Sequence, residues 1–204
     1  MAAGAALGLL ATGAPAQGPR GASERHEGVT ITARPWTTPA EYKQKFPKKN
    51  PLTGGILAVH VVVQNDTDEA LRVHIERIRL LVTIGEDMRQ DLPPLSSEYV
   101  ADTVLRSKPR DPSASRTRLP IPVGKPRASR SKEWVEFEQA VRNAEVPSSV
   151  VPPHGKVEGL LYFDVANQLD VGRSGRLYVP EVTAIEKRRS LLYFEIDLSK
   201  DSPS

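Results

Sequence analysis

The chain has 204 residues, a formal net charge of +3 and no cysteine. The absence of cysteine excludes a disulfide framework, a thiolate zinc site, a cysteine nucleophile and a lipid-modified N-terminal cysteine. An apolar share of 39% with eighteen prolines predicts one modest core carrying sizeable irregular segments.

The first sixteen residues, Met1 to Ala16, are a short apolar run closing on Ala14-Pro15-Ala16, the small-x-small pattern that export peptidases accept. No Lys or Arg precedes the run, as would follow from a start codon placed too far downstream. The run is too short to span a bilayer, so no transmembrane segment is expected. These residues predict a signal peptide and an exported protein, periplasmic or extracellular. Residues 17–28 are polar and Gly-containing and are expected to be a disordered lead-in. The domain proper is expected over 29–198, with 199–204 as a tail.

Val29 to Ala33 alternates and predicts a first strand. Pro35 to Pro51 predicts a loop pinned by Trp36, Tyr42 and Phe46, whose rings can bury apolar area against a sheet edge. Gly55 to Glu76 predicts a hairpin turning at Asn65, Asp66, Thr67 and Asp68, residue types that bond their own backbone and tolerate left-handed conformations. Parity puts Leu57, Val59, Val61 and Val63 on one face and Ala58, His60, Val62 and Gln64 on the other. Leu71, Val73 and Ile75 form the apolar set of the return strand. The register that unites both apolar sets places Val61 opposite Val73 and His60 opposite His74 on an outer, solvated face. The alternation then slips, since Ile78, Leu80, Val82 and Ile84 lie on even numbers. A β-bulge near Glu76 and Arg77 would absorb the slip, but a bend carrying the chain from one sheet towards the other is favoured.

An irregular insertion is expected at about 87–131. It holds a short helix over Ser96 to Leu105, then a Pro-, Ser- and Arg-rich stretch without apolar period that is expected to be flexible. Nine basic residues (Arg106, Lys108, Arg110, Arg116, Arg118, Lys125, Arg127, Arg130 and Lys132) stand there against one acid, Asp111. The stretch therefore carries +8 and the rest of the chain −5. Trp134, Phe137, Ala140, Val141 and Ala144 then recur at helical spacing and predict an amphipathic helix from Lys132. Val150 to Val165 predicts a turn feeding a strand, and Leu177 to Val179 and Leu191 to Leu198 predict two more. Six to eight short strands separated by turn signals predict an all-β chain, a sandwich with one or two short helices in a central insertion.

The order of these elements resembles the immunoglobulin-like (telokin-like) domains of secreted bacterial proteins of unknown function. The residues that carry the resemblance are Asn65-Asp-Thr67-Asp-Glu69, matching a strand end of the form Asn-x-Thr-x-Glu, and the Pro153-His-Gly155 turn opening a strand that ends in Phe163-Asp164-Val165. The match covers Val29–Ile84 and Val150–Leu198. It implies an immunoglobulin-like β-sandwich and leaves activity open.

Candidate chemistry is sparse. His60 and His74, with Glu76 or Glu158 added, could hold Cu²⁺ or Zn²⁺, yet two imidazoles on a solvated face without a spaced third ligand are more simply polar surface. Asp66, Asp68 and Glu69 lack the spacing and glycine of a calcium loop. Asn65-Asp66-Thr67 is a glycosylation sequon, here read as a surface turn. No Gly-x-Ser-x-Gly occurs, and no carboxylate stands in an apolar setting. Asp164 and Glu195 come closest and read as outward-facing acids. The basic stretch lacks stacking aromatics, which argues against nucleic acid. A solvated linker is the simplest reading, with anionic envelope polymers second. The sequence thus predicts a non-enzymatic binding or structural module without a cofactor, its partner an envelope protein or anionic envelope polymer. The alternative is a metal-binding or metal-dependent protein using His60 and His74.

Overall fold

The computed structural model describes residues 21–84, 88–105, 130–166, 168–191 and 193–201. The signal-like run at 1–16, residues 106–129 of the basic stretch and the last three residues lie outside the described residues. Among those described, twelve strands form three four-stranded antiparallel sheets, joined by four short α-helices.

Of the expected disordered lead-in at 17–28, residues 17–20 lie outside the described residues, and the rest is instead β1 (Ala22–His26), paired with β2 (Val29–Trp36) from Ala22 opposite Ala33 to His26 opposite Val29. Glu27 and Gly28 both have positive φ, 47° and 79°, the two-residue turn whose twist matches antiparallel strands. Pattern reading missed this strand because its sequence, Ala-Ser-Glu-Arg-His, is polar.

The segment after β2 is not a loop. Thr38 and Glu41 close a capping box, with the Thr38 N–H donating to Glu41 Oε2 at 3.0 Å, and α1 (Pro39–Lys45) follows. Its aromatics are buried as expected, with Tyr42 and Phe46 beside Trp36. They cover the face of a sheet, not its edge.

β3 (Ile56–Asn65) and β4 (Leu71–Val73) are not a hairpin. β3 pairs with β2 on one side and with β8 (Lys156–Asp164) on the other, giving the first sheet the order β1-β2-β3-β8. β4 belongs to the second sheet, between β7 (Val150–Val151) and β10 (Val182–Ala184), with the two-residue β11 (Arg189–Ser190) outermost. The Asn65 turn is therefore an arch from one sheet to another. Parity chose the right core residues and the wrong neighbours: Val61, Val63, Leu71 and Val73 share one core across the arch. The run from Ile56 to Val63 is apolar on both faces except at His60, which demands burial on both sides, and a central strand supplies it.

A 3₁₀ turn at Ile75–Arg77 absorbs the predicted slip and bends the chain out of the second sheet into the third. There β5 (Arg79–Ile84) lies between β6 (Met88–Leu92) and β9 (Arg176–Val179), with β12 (Phe194–Asp197) beyond β9. The order is β12-β9-β5-β6. β6 falls where an irregular insertion was expected. Because β4 pairs with β10 and β5 with β9, the second and third sheets continue each other across the bend. Their inward residues, including Leu80, Val82, Leu177, Val179, Phe194 and Ile196, share the main core with the first sheet.

The outer face of the first sheet is only partly solvated, contrary to expectation. Within the insertion, α2 (Ser97–Leu105) and α3 (Lys132–Ala144) form as predicted and pack with α1 over Ile56, Ala58, Leu160 and Tyr162. This second apolar cluster makes the first sheet a middle layer. A short α4 (Leu169–Arg173) links β8 to β9, and a 3₁₀ turn at Leu198–Asp201 occupies the start of the expected tail.

Candidate functional site

The two histidines do not converge. His60 lies in β3 of the first sheet, between Arg34 of β2 and Leu160 of β8. Burial pushes its imidazole below the ordinary histidine range, against the opposing pull of Glu158. His74 precedes the 3₁₀ turn after β4 and bonds Glu76 through Nδ1 at 3.2 Å. The predicted opposition fails because the two strands belong to different sheets, and with it goes the geometric basis of the metal reading. Among the described residues no group of three or more His, Asp or Glu could hold a metal ion. Nor is any described helix long and apolar enough to cross a membrane.

Of the basic stretch, Arg106, Lys108, Arg110, Arg116, Arg118, Lys125 and Arg127 lie outside the described residues. Arg130 is docked: its guanidinium stands 3.8 Å over the Trp134 ring and bonds Glu98 at 3.4 Å. Lys132 opens α3 and pairs with Glu136 at 3.8 Å.

The two motifs behind the family resemblance meet in space. The Asn65 side chain is fully buried; Nδ2 donates to the carbonyls of Glu69 at 2.7 Å and Pro152 at 3.0 Å. Its Oδ1 accepts from the N–H of Thr67 at 3.0 Å and from its hydroxyl at 2.7 Å. The Asn65 N–H donates to the Gly155 carbonyl at 2.9 Å, and His154 Nε2 bonds Asp68 at 2.8 Å. The arch and the Pro153-His154-Gly155 turn are thus one structural node. A side-chain amide so enclosed is no acceptor for a glycan.

Two carboxylates of the helical layer were missed by pattern reading. Glu138 is 6% exposed, accepting from the Ser97 hydroxyl at 2.7 Å and from Arg142 Nε at 2.9 Å. Burial works against its charge, but these donors hold its carboxyl below the usual range. Glu145, at the C-cap of α3, is the opposite case. Its Oε1 is buried without a partner among the described residues, and burial pushes the carboxyl up to about 7. Arg142 pulls the other way and nearby Glu138 adds to the rise. The backbone of Glu145 bridges to Leu160 in parallel, and Gly159 permits that approach: a Cβ there would stand 2.5 Å from the Glu145 carbonyl oxygen. No spacing rule marks such a carboxyl, because the apolar surroundings come from another element.

The third sheet carries an open groove of about 460 Å³ on its outer face. Register defines its layout. Leu81 lies at the floor, flanked across the strands by Arg176 of β9 and Asp91 of β6. Thr83 and Arg89 are opposed one step along, and Tyr178 and Glu195 are opposed on the other side. Arg176 Nη1 donates to Glu195 Oε1 at 2.7 Å. Beyond it Tyr193, 53% exposed, packs on Tyr178 with ring centroids 5.7 Å apart. Glu195 is outward-facing as predicted. Its neighbours came from four strands whose pairing no local pattern reveals.

No family model matches the chain, and no curated protein matches it. Among solved structures it is similar to a protein of Listeria monocytogenes EGD-e described as functionally unknown. That likeness has 10% identity and a TM-score of 0.40, covering 86% of this chain and 79% of the other.

Proposed function

We propose that this chain is an exported, non-enzymatic binding module on an immunoglobulin-like β-sandwich, whose contact surface is the outer face of the third sheet. Topology supports the fold: β2-β3-β8 follows the order A-B-E of an immunoglobulin sheet, and β12-β9-β5-β6 the order G-F-C-C′ of its partner. Export rests on the apolar run closing at Ala14-Pro15-Ala16. The observation that carries the binding reading is the groove. It combines half-buried Tyr178, with exposed Tyr193 packed beside it, and the arginines Arg89 and Arg176, and tyrosine and arginine are residue types on which contact surfaces concentrate their energy.

The test is capture of material from the envelope fraction of the native host on immobilised protein. Wild type and the exposed-residue variants Arg89→Ala and Asp91→Ala are compared, with circular dichroism confirming that each is folded. Loss of capture in both variants is expected. Equal capture by all three proteins refutes the assignment of the surface.

A further inference from the structure

Resting on the binding reading above, the geometry points to a neutral, hydroxyl-rich ligand in this groove: we infer an oligosaccharide. Charge balance is the first argument. The lining cations Arg89 and Arg176 are matched by the acids Asp91 and Glu195, so the groove offers no net charge to a polyanion or polycation.

The second argument is how donors and acceptors are set around the floor. Leu81 provides an apolar centre, and Arg176 and Asp91 stand one strand away on either side. They are thus separated by two strand spacings, about 9.6 Å. A sugar ring presents an apolar C–H face and a rim of hydroxyls that both donate and accept. Its C–H face suits Leu81 and the Tyr178 ring, while its rim suits a guanidinium on one side and a carboxylate on the other. The bond between Arg176 and Glu195 occupies one edge of the guanidinium and fixes its plane, leaving further N–H donors for hydroxyls. The volume, about 460 Å³, lies within the range of roughly 300–1,000 Å³ usual for small-ligand sites. A peptide strand could pair only along the outer edge of β6, beside the groove and not over its Leu81 floor.

The probes are an array of neutral oligosaccharides of glucose, galactose, mannose and N-acetylglucosamine, with dextran sulfate as the polyanion control. The full chain is measured at low and high salt. The expected result is retention on at least one neutral saccharide, unchanged by salt. It should weaken about tenfold in Asp91→Ala, the loss of one hydrogen bond to a charged group. It should also weaken in Tyr178→Ala and be unaffected in Lys48→Ala, which lies far from the groove. Retention on dextran sulfate alone, abolished by salt, overturns the inference, as does neutral-glycan binding that both groove variants keep. So does the absence of retention on every neutral glycan. If envelope capture still depends on Arg89 and Asp91 in that last case, and is destroyed by protease but not by glycosidase, the binding module stands and its ligand is a protein.

Discussion

Glu145 offers the sharpest quantitative test, because its environment favours the neutral acid. The unfolded chain ionises this group near the ordinary value of 4.5, the folded chain at about 7. Below pH 4.5 both states hold the proton and the group has no effect. Between 4.5 and 7 the unfolded state releases it first, so stability falls as pH rises, and above 7 the full loss is reached. At 1.36 kcal/mol for each pH unit the ceiling is about 3.4 kcal/mol. Although Oε1 is buried, the residue as a whole is partly exposed, and solvent screening reduces this to about 1–2 kcal/mol. Arg142 cannot remove the cost, since Glu138 already engages it. Glu145→Gln keeps the shape and removes the charge. We expect the variant to match wild type at pH 4 and to exceed it by about 1–2 kcal/mol at pH 8, a Tm gain of roughly 2–8 °C for a chain of this size. Urea unfolding of both proteins at four pH values measures the difference directly. A difference that does not vary with pH, or a variant less stable than wild type at pH 8, would refute the reasoning.

Four further outcomes follow from other parts of the fold. Asn65→Ala strands the Thr67 N–H and takes one donor each from the Glu69 and Pro152 carbonyls, which keep the Thr67 hydroxyl and the Gly155 N–H, and should cost about 1–3 kcal/mol by chemical denaturation. Gly159→Ala forces a Cβ into the backbone of Glu145 and Val146 and should cost about 3 kcal/mol, with α3 amides losing hydrogen-exchange protection before the sheets. Ser97→Ala removes a buried donor from the Glu138 carboxylate and should cost about 1.5–2 kcal/mol, an effect that fades at acid pH once Glu138 is protonated. Since His60 and His74 lie in different sheets, calorimetry should show the same copper and zinc uptake for wild type, His60→Ala and His74→Ala. A dissociation constant tighter than about one micromolar, lost in both variants, would reverse that conclusion.

Much of the fold was legible wherever a strand or helix reports its own burial. The helices α2 and α3, the bend near Glu76 and the inward residues of β3 and β4 all came from periodicity, because one face of each element is apolar and the period shows it. β1 and β6 were missed for the converse reason: they are polar edge strands, ordered by pairing more than by burial. The false hairpin between β3 and β4 shows a different limit. Parity says which residues go inside but not which strand lies alongside, and an Asx-type turn serves an arch as well as a hairpin. The histidine pair fell with that register. Glu145 and the groove stayed invisible because each is assembled from elements far apart in sequence.

The layer order also shows which outer face of the scaffold is least tied to the core. In the first sheet β2, β3 and β8 are committed to the main core on one side and, over Ile56, Ala58, Leu160 and Tyr162, to the helices on the other. The second sheet is built from strands of two and three residues and offers little area. Only the third sheet combines longer strands with an outer face that no described element covers. Its side chains there are free of packing duties, so their identity is not fixed by the core beneath. Arg89, Asp91 and Thr83 can change without moving Leu80, Val82 or Leu177 under them, since alternate residues of a strand face opposite sides. A face decoupled from the core in this way can take up a binding task while the Asn65 node and the two apolar clusters keep the scaffold unchanged.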